Sequence, residues 1–189
     1  MTNNKMYFIA NWKMFGSLKL VNSLNNVITY SKKNKLKAKI VYCPPYTLLK
    51  SFVDKTKNSN IQIGAQDCHI NSNYGPFTGA VSSKMIKDLG AKFVIIGHSE
   101  TRKENDNKKI NLKIKSALNK NLNVIFCIGE KLIDKKKNKT KFVLKKQILE
   151  GLKNLNKLNK VIIAYEPVWS IGTGIIPTEN SLIKNIKFI

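Results

Sequence analysis

The chain has 189 residues, 42% of them apolar, so it can bury a core and is not compositionally disordered. Lys and Arg number 34 against 11 Asp and Glu, which gives a formal net charge of +23. The lysines are spread over almost every segment, and no aromatic-interleaved RNA motif, zinc-ligand spacing or basic zipper accompanies them. We therefore interpret the charge as a lysine-rich solvated surface and expect no nucleic-acid partner.

The cysteines and the N-terminal residues bear on the cellular compartment of the protein. Cys43, Cys68 and Cys127 are widely spaced and form no C-x-x-C pair, which is typical of a reducing cytoplasm. The apolar stretch 6–10, which follows polar residues 2–5, is too short for a signal peptide or a bilayer span. We expect a cytoplasmic protein without a membrane partner.

Six apolar runs of strand length alternate with helix-like segments. The runs occupy residues 7–10, 40–43, 61–65, 93–96, 122–128 and 161–165. Between them, apolar residues recur at helical spacing, in the sets Leu20, Leu24, Val27 and Ile28, then Ile110, Ile114, Ala117 and Leu118, then Leu144, Ile148, Leu152, Leu155 and Leu158. This alternation, with no linker, predicts one α/β domain over residues 1–189 with a parallel sheet of βα units.

A barrel and a doubly wound sheet both fit this pattern. The first strand-to-helix turn, residues 10–16, lacks G-x-G-x-x-G, which removes the main support for dinucleotide binding. Thr178 is a candidate N-cap for a last helix, whose apolar stripe Leu182, Ile186 and Ile189 reaches the final residue. Because a full (β/α)8 barrel needs about 250 residues, we expect about six of eight βα units, truncated within the sixth helix.

Residues 164–174 suggest a catalytic base followed by a lid. Glu166 falls at the C-terminal end of a predicted buried strand, where α/β folds place catalytic groups. Pro167 stiffens the start of the next loop, and Gly172 and Gly174 let its tip approach a ligand closely. Taken alone, an ordinary strand and turn explain these residues equally well.

Polar residues also follow other predicted strands. Asn11 and Lys13 can project into one site, where the lysine supplies positive charge for an anionic substrate or a developing oxyanion. His98 is expected at a helix N-terminus, which disfavours imidazolium and leaves a neutral hydrogen-bond donor. Lysine is abundant in this chain, and His69 has no supporting pattern.

Four motifs together resemble the triosephosphate isomerase family in order, spacing and context. They are NWK at 11–13, GHSE at 97–100, CIGE at 127–130, and AYEPVW at 164–169 with IGTG at 171–174. The resemblance implies a TIM barrel and interconversion of dihydroxyacetone phosphate and D-glyceraldehyde 3-phosphate by proton transfer through an enediolate. It implies no metal and no organic cofactor.

The same resemblance assigns roles. Glu166 would be the base, His98 would polarise and protonate the enediolate oxygens, and Lys13 would stabilise their charge. Asn11 would help to orient the substrate. The supporting positions that match the family are Glu100 near the lysine, Cys127 packed beside the base, and the lid residues Ile171 and Gly172, of which Gly172 would bind substrate.

The resemblance also implies a homodimer. Thr78, in the loop 75–79, matches the family's dimer-loop residue that reaches the neighbouring active site. Ala80 stands where a glutamate is common and Thr101 where an arginine is common, and we interpret the two as halves of one lost ion pair. Asp67 replaces a usual asparagine.

Two other interpretations stay open at this point. The resemblance covers about three quarters of the family's architecture and lacks the loops after strands seven and eight, which bind phosphate in the family. The alternative is therefore a truncated, catalytically inactive fragment that acts as an interaction protein. The third is a basic nucleic-acid binder.

Overall fold

The computed structural model describes residues 6–33 and 38–189, and polar residues 2–5 lie outside this part. Six parallel strands form one sheet in chain order. They are β1 Tyr7–Asn11, β2 Lys39–Cys43, β3 Ile61–Ala65, β4 Phe93–Ile96, β5 Asn123–Ile128 and β6 Val161–Tyr165. Three have the predicted bounds and the others differ by one residue at one end, so the predicted succession of strands is confirmed.

Helices follow the strands as predicted, with corrected bounds. They are α1 Leu24–Lys33, α2 Tyr46–Thr56, α3 Ser83–Asp88, α4 Asn107–Asn119, α5 Leu132–Lys136, α6 Thr140–Gly151 and α7 Glu179–Phe188. Short 3-10 helices span Leu18–Ser23, Leu158–Lys160 and Val168–Ser170. None of the helices in the described residues is long and apolar enough to cross a membrane.

The helical stripes deviate from the predictions at their ends. Leu20 lies in the 3-10 turn before α1 and is exposed. The α6 helix ends at Gly151 because the chain turns away through Asn154, at φ 54°, a left-handed conformation that asparagine tolerates. Thr178 caps α7 as predicted, since its hydroxyl accepts from the Ser181 N–H. In α7, however, the buried residue is Asn185, whereas Ile186 is 60% exposed.

Both faces of the central strands are buried. Residues 94, 96, 124, 126 and 128 pack under the helices, whereas the alternate residues form a second cluster on the helix-free face. That cluster contains Val41, Cys43, Phe93, Ile95, Ile125 and Cys127. Two buried faces are what a continuous apolar strand without alternation requires, so the predicted parallel α/β arrangement is confirmed. The prediction of a buried strand before Glu166 is wrong in one respect, because β6 is only half-buried along its length and has a single neighbouring strand among the described residues.

The register brings the C-terminal ends of the strands to one edge. Asn11 lies opposite Cys43, and Cys127 opposite Ala164. Glu166 continues the parity of Ala164, and its N–H donates to the Ile128 carbonyl at 2.8 Å. The polar residues that follow different strands are therefore neighbours. Among the described residues, β1 and β6 each have a single neighbouring strand.

Candidate active site

A connected series of charged and polar groups lines this edge. The Lys13 Nζ atom lies 2.9 Å from Glu100 Oε1, and the other Glu100 oxygen lies 3.4 Å from His98 Nδ1. On the far side of the imidazole, Nε2 lies 3.6 Å from Glu166 Oε1. The structure thus brings together the lysine, histidine and glutamate that the sequence singled out, although they are far apart along the chain.

The backbone at Lys13 is in the left-handed region and is held there by neighbouring groups. Its φ is 51°, and its N–H donates to Asn11 Oδ1 at 2.9 Å. The Gln66 side-chain amide donates to the carbonyls of Lys13 and Cys43, both at 2.8 Å. Asn11 and Gln66 therefore fix the direction in which the lysine leaves the sheet. The sequence offers no signal for Gln66 beyond its place directly after β3.

The ammonium of Lys13 favours the ionised form of the Glu100 carboxylate. Hydrogen bonding from Lys13 lowers the pKa of Glu100, and the nearby His98 adds to this shift. The Glu100 side chain is 54% exposed, so water screens the pair. Asn11, Lys13, His98 and Glu100 form what we call the charged floor of the site.

His98 lies in a turn and not at a helix N-terminus. The prediction that a helix dipole acts on its imidazole is therefore wrong. The chain after β4 turns because the N–H groups of Thr101 and Arg102 both donate to the His98 carbonyl, and α4 starts only at Asn107. The imidazole is 10% exposed, and its Nδ1 accepts from the Glu100 N–H at 3.3 Å. That bond requires a lone pair on Nδ1, which in the neutral ring leaves the proton on Nε2, facing Glu166.

Glu166 is held loosely by its side chain and firmly by its backbone. Its Oε2 accepts from the Ser99 N–H at 3.4 Å, and its side chain is 21% exposed. Cys127 packs against it as expected, and burial followed by the charge of Glu166 raises the pKa of this thiol. Cys127 is therefore a protonated neighbour at neutral pH rather than a nucleophile.

Gly129 allows β5 and the base to approach closely. A Cβ at this position would lie 1.7 Å from the carbonyl oxygen of Glu166. The Gln147 side chain bonds both backbone groups of Gly129, at 2.8 and 2.9 Å. The CIGE motif contains this glycine, but nothing in the sequence indicated which backbone it faces.

We call residues 167–174, the predicted lid, the lid segment. Its first half is buried or half-buried and hydrogen-bonded, whereas its glycine-containing tip is exposed. Trp169 is 6% exposed, and its indole N–H donates to buried Glu130 at 2.7 Å. Ile171 is 37% exposed, and within the described residues no atom beyond the adjoining residues lies within 4 Å of a Cβ built on Gly172 or Gly174. Both glycines have positive φ, at 71° and 73°.

The dimer-loop residues lie outside this site within one chain. Thr78 is exposed, and in the described residues no hydrogen bond joins it to the charged floor. His69 organises this loop, since its ring packs on Phe77 with centroids 4.5 Å apart and its Nδ1 accepts from the Asn71 N–H.

The positions that depart from the family pattern have partners within the chain. The Thr101 hydroxyl donates to the His98 carbonyl at 3.0 Å. Asp67 forms an ion pair with Lys113 of α4, while its other oxygen is buried without a partner in the described residues. In the part of the chain that the structure describes, no group of three His, Cys, Asp or Glu residues could hold a metal ion.

Comparison with known proteins agrees with the geometry. The family profile described as triosephosphate isomerase matches residues 6–189. A triosephosphate isomerase of Wolbachia sp. subsp. Brugia malayi is 41% identical over 96% of this chain and 74% of its own length. That of Dictyoglomus thermophilum is 44% identical over 87% and 68%, respectively. The crystal structure of triosephosphate isomerase from Bartonella henselae superposes with a TM-score of 0.87 at 33% identity, over 98% of this chain and 74% of the other.

Proposed function

Because the chain belongs to the triosephosphate isomerase family and has its TIM-barrel fold, we propose that it interconverts dihydroxyacetone phosphate and D-glyceraldehyde 3-phosphate at the charged floor and Glu166. The observation that supports this most is the approach of His98 Nε2 to Glu166 Oε1, at 3.6 Å. A proton donor and a carboxylate at this spacing can face two neighbouring atoms of one small substrate.

The proposed reaction is a proton transfer between adjacent carbons. Glu166 takes the proton from the carbon next to the carbonyl, and the electron pair of that C–H bond moves towards the carbonyl oxygen to give an enediolate. His98 donates its Nε2 proton to the former carbonyl oxygen and takes up the proton of the neighbouring hydroxyl, which becomes the new carbonyl, and the ammonium of Lys13 stabilises the negative charge on these oxygens. Return of the proton from Glu166 to the neighbouring carbon completes the isomerisation without a metal or an organic cofactor.

Asn11 and the lid segment have supporting roles in this proposal. The Asn11 side chain accepts from the backbone N–H of Lys13 and so positions the lysine. Asn11 also lies at the same edge of the sheet, where it can orient the substrate. Ile171 and Gly172 would close over the bound molecule and exclude water, with the Gly172 backbone close to the phosphate. The open space around Gly172 supports this, because no atom of the described residues beyond the adjoining ones lies within 4 Å of a Cβ built there.

We also propose that a second copy of the chain is the partner. Apolar side chains near the site and in the loop around Thr78 are exposed, including Met14 at 94%, Phe15 at 74%, Tyr74 at 63% and Phe77 at 44%. A group of exposed apolar residues is typical of a protein interface. Sedimentation velocity should give a dimer that Phe77→Ser weakens, and a monomer for the unchanged chain would contradict the proposal.

We propose a cytoplasmic location on the state of the thiols. All three cysteines lie in the described residues and are free and buried. Burial raises the pKa of Cys43 and of Cys68 to about 12, so neither forms a thiolate readily. Buried thiols without a disulfide suit a reducing compartment. Imaging of a fluorescently tagged chain that places it outside the cytoplasm would contradict this.

Proton abstraction can be measured directly. Dihydroxyacetone phosphate is incubated with the protein in D2O, and NMR follows deuterium entering the carbon next to the carbonyl. Glu166→Asp should slow this exchange, by about 100-fold or more, because the shorter side chain withdraws the carboxylate while keeping its charge. Glu179→Asp, an exposed change of the same type on α7, is the matched control. Equal rates for the two variants would remove Glu166 from the role of base.

A further inference from the structure

Hydrogen bonds join four side chains, Asn185, Tyr165, Glu130 and Trp169, and so link the last helix to the start of the lid segment. Glu130 is 1% exposed and accepts from two donors, the Trp169 indole at 2.7 Å and the Tyr165 hydroxyl at 3.1 Å. Lys135 covers the outer side of the indole, with Nζ 3.1 Å from the ring centroid. The Trp169 indole, near the start of the lid segment, is therefore held by a hydrogen bond at one edge and by a cation on one face.

The direction of each hydrogen bond follows from the ionisation of Tyr165. Burial, and then the negative charge of Glu130, raise the pKa of this phenol, so it keeps its proton at neutral pH. It therefore donates to Glu130, and its oxygen is left as an acceptor. The Asn185 amide fills that acceptor at 2.8 Å. The bonds run from Asn185 to Tyr165 to Glu130, where the bond from Trp169 also ends.

Asn185 is a buried polar residue in the middle of α7, where it is 7% exposed. A buried amide is costly unless it is hydrogen-bonded, and the Asn185 amide donates to the Tyr165 hydroxyl. Donation to a phenol oxygen also polarises the phenol O–H and strengthens the bond that this group donates onward.

We propose that Asn185 is a positioning residue, which acts through Tyr165 and Glu130 to set how firmly Trp169 anchors the lid segment. The inference rests on the proposed function only in the role given to the lid. The hydrogen-bonded series itself stands on the contacts of the four side chains. Loss of the Asn185 donor should weaken the hold on Trp169 without touching the charged floor.

Tryptophan fluorescence can test whether the hydrogen bonds from Asn185 through Tyr165 and Glu130 hold Trp169, without any assay of activity. The chain has two tryptophans, so Trp12→Phe leaves Trp169 as the only indole. In that background, Asn185→Leu should increase acrylamide quenching of Trp169 emission about twofold or more. Asn180→Leu, an exposed change of the same type on the same helix, should leave quenching unchanged. Unchanged quenching for Asn185→Leu in the folded protein would overturn the proposal.

A second variant distinguishes positioning through Tyr165 from a general loosening of α7. Tyr165→Phe removes one oxygen atom from the series and keeps the ring, so it should fold and should increase quenching by itself. Adding Asn185→Leu to Tyr165→Phe should then have little further effect, since the route between the two ends is already broken. Additive increases, or no effect of Tyr165→Phe, would show that Asn185 does not act through Tyr165.

A kinetic measurement connects the series to the reaction. In the protein with Trp12 intact, Asn185→Leu should change the KM for dihydroxyacetone phosphate by about threefold, with kcat within twofold, because closure is altered and proton transfer is not. Loss of kcat alone would contradict a role in lid anchoring. If the unchanged protein shows no isomerase activity, the proposed function fails, while the quenching experiments still decide the inference.

Discussion

The charged floor and the lid segment lie within a few residues of the same carboxylate but are built in opposite ways. Each member of the floor has a partner on another segment or in its own turn, and His98 is almost fully buried. The tip of the lid segment has two glycines at positive φ with open space around them. The difference indicates that charge is placed on fixed backbone, while closure is left to a segment with few contacts.

Glu166 stands between the two regions and shares features of both. Its backbone is fixed, since its N–H bonds to β5 and its carbonyl lies against Gly129. Its carboxylate accepts from the Ser99 N–H at 3.4 Å, lies 3.6 Å from His98 Nε2 and contacts the Cys127 thiol, so each of its contacts is long or weak. A base of this kind can change its direction when the lid segment moves, without any shift of the sheet.

The largest expected effect is loss of the floor's positive charge. Lys13→Met should lower kcat by about 100- to 1000-fold, the usual loss when one preorganised group that stabilises an oxyanion is removed, and should raise KM. Steady-state isomerase kinetics give both values. Lys103→Met, an exposed lysine in the turn after His98, is the control. Equal activity of the two variants would contradict a special role for the floor.

The backbone under Glu166 and the lid segment should differ sharply in their tolerance of an added methyl group. Gly129→Ala should destabilise the fold by about 3 kcal/mol or more, because the new Cβ meets the Glu166 backbone. Gly172→Ala should cost only about 1 kcal/mol, since it meets no atom and strains a single residue. Urea unfolding monitored by circular dichroism measures both, and similar costs would contradict a fixed backbone under Glu166 beside an open lid segment.

A smaller effect concerns the lost ion pair proposed at the dimer interface. Ala80→Glu combined with Thr101→Arg should show a coupling energy of about 0.5–1 kcal/mol in the dimer dissociation constant, measured by sedimentation. Thr101→Arg alone should cost activity, because the hydroxyl that bonds the His98 carbonyl is lost. Strictly additive effects on dissociation would show that the two positions are independent.

The smallest effect is the response of the floor to pH. The Glu100 pKa is lowered below its ordinary value of 4.5, so its pair with Lys13 adds stability above that value. This contribution should be lost as the pH falls through the lower folded-state pKa. NMR titration of the Glu100 carboxyl carbon should show the depressed pKa returning towards its ordinary value in Lys13→Met. An unchanged titration would assign the shift to another group.

The central strands could be predicted because their burial on two faces leaves a mark on the sequence, as in the unbroken apolar run 93–96. The run 161–165 also forms a strand and fixes the place of Glu166 to the residue, although this strand is only half-buried. Pairing of neighbouring strands then brings Asn11 and Glu166 to one edge without further information. Strand ends are thus the part of a candidate site that a sequence predicts best.

Contacts made by turns and amide side chains could not be predicted in the same way. The turn after His98 is held by backbone bonds that leave no residue signature, so the sequence pattern favours a helix in its place. Gln66 and Asn185 act through single hydrogen bonds to distant segments. Asn185 did have one signal, because it is a polar residue three positions after Leu182 in an apolar stripe.

The left-handed backbone at Lys13 limits which substitutions can be tolerated at this position during evolution. A β-branched side chain is strongly disfavoured at a φ of 51°, so codon changes that replace the lysine by Thr or Ile carry a conformational penalty besides the loss of charge. Glycine would relieve the backbone but remove the ammonium. Arginine alone keeps a permanent charge without branching at Cβ, so one mutational route remains open at this position.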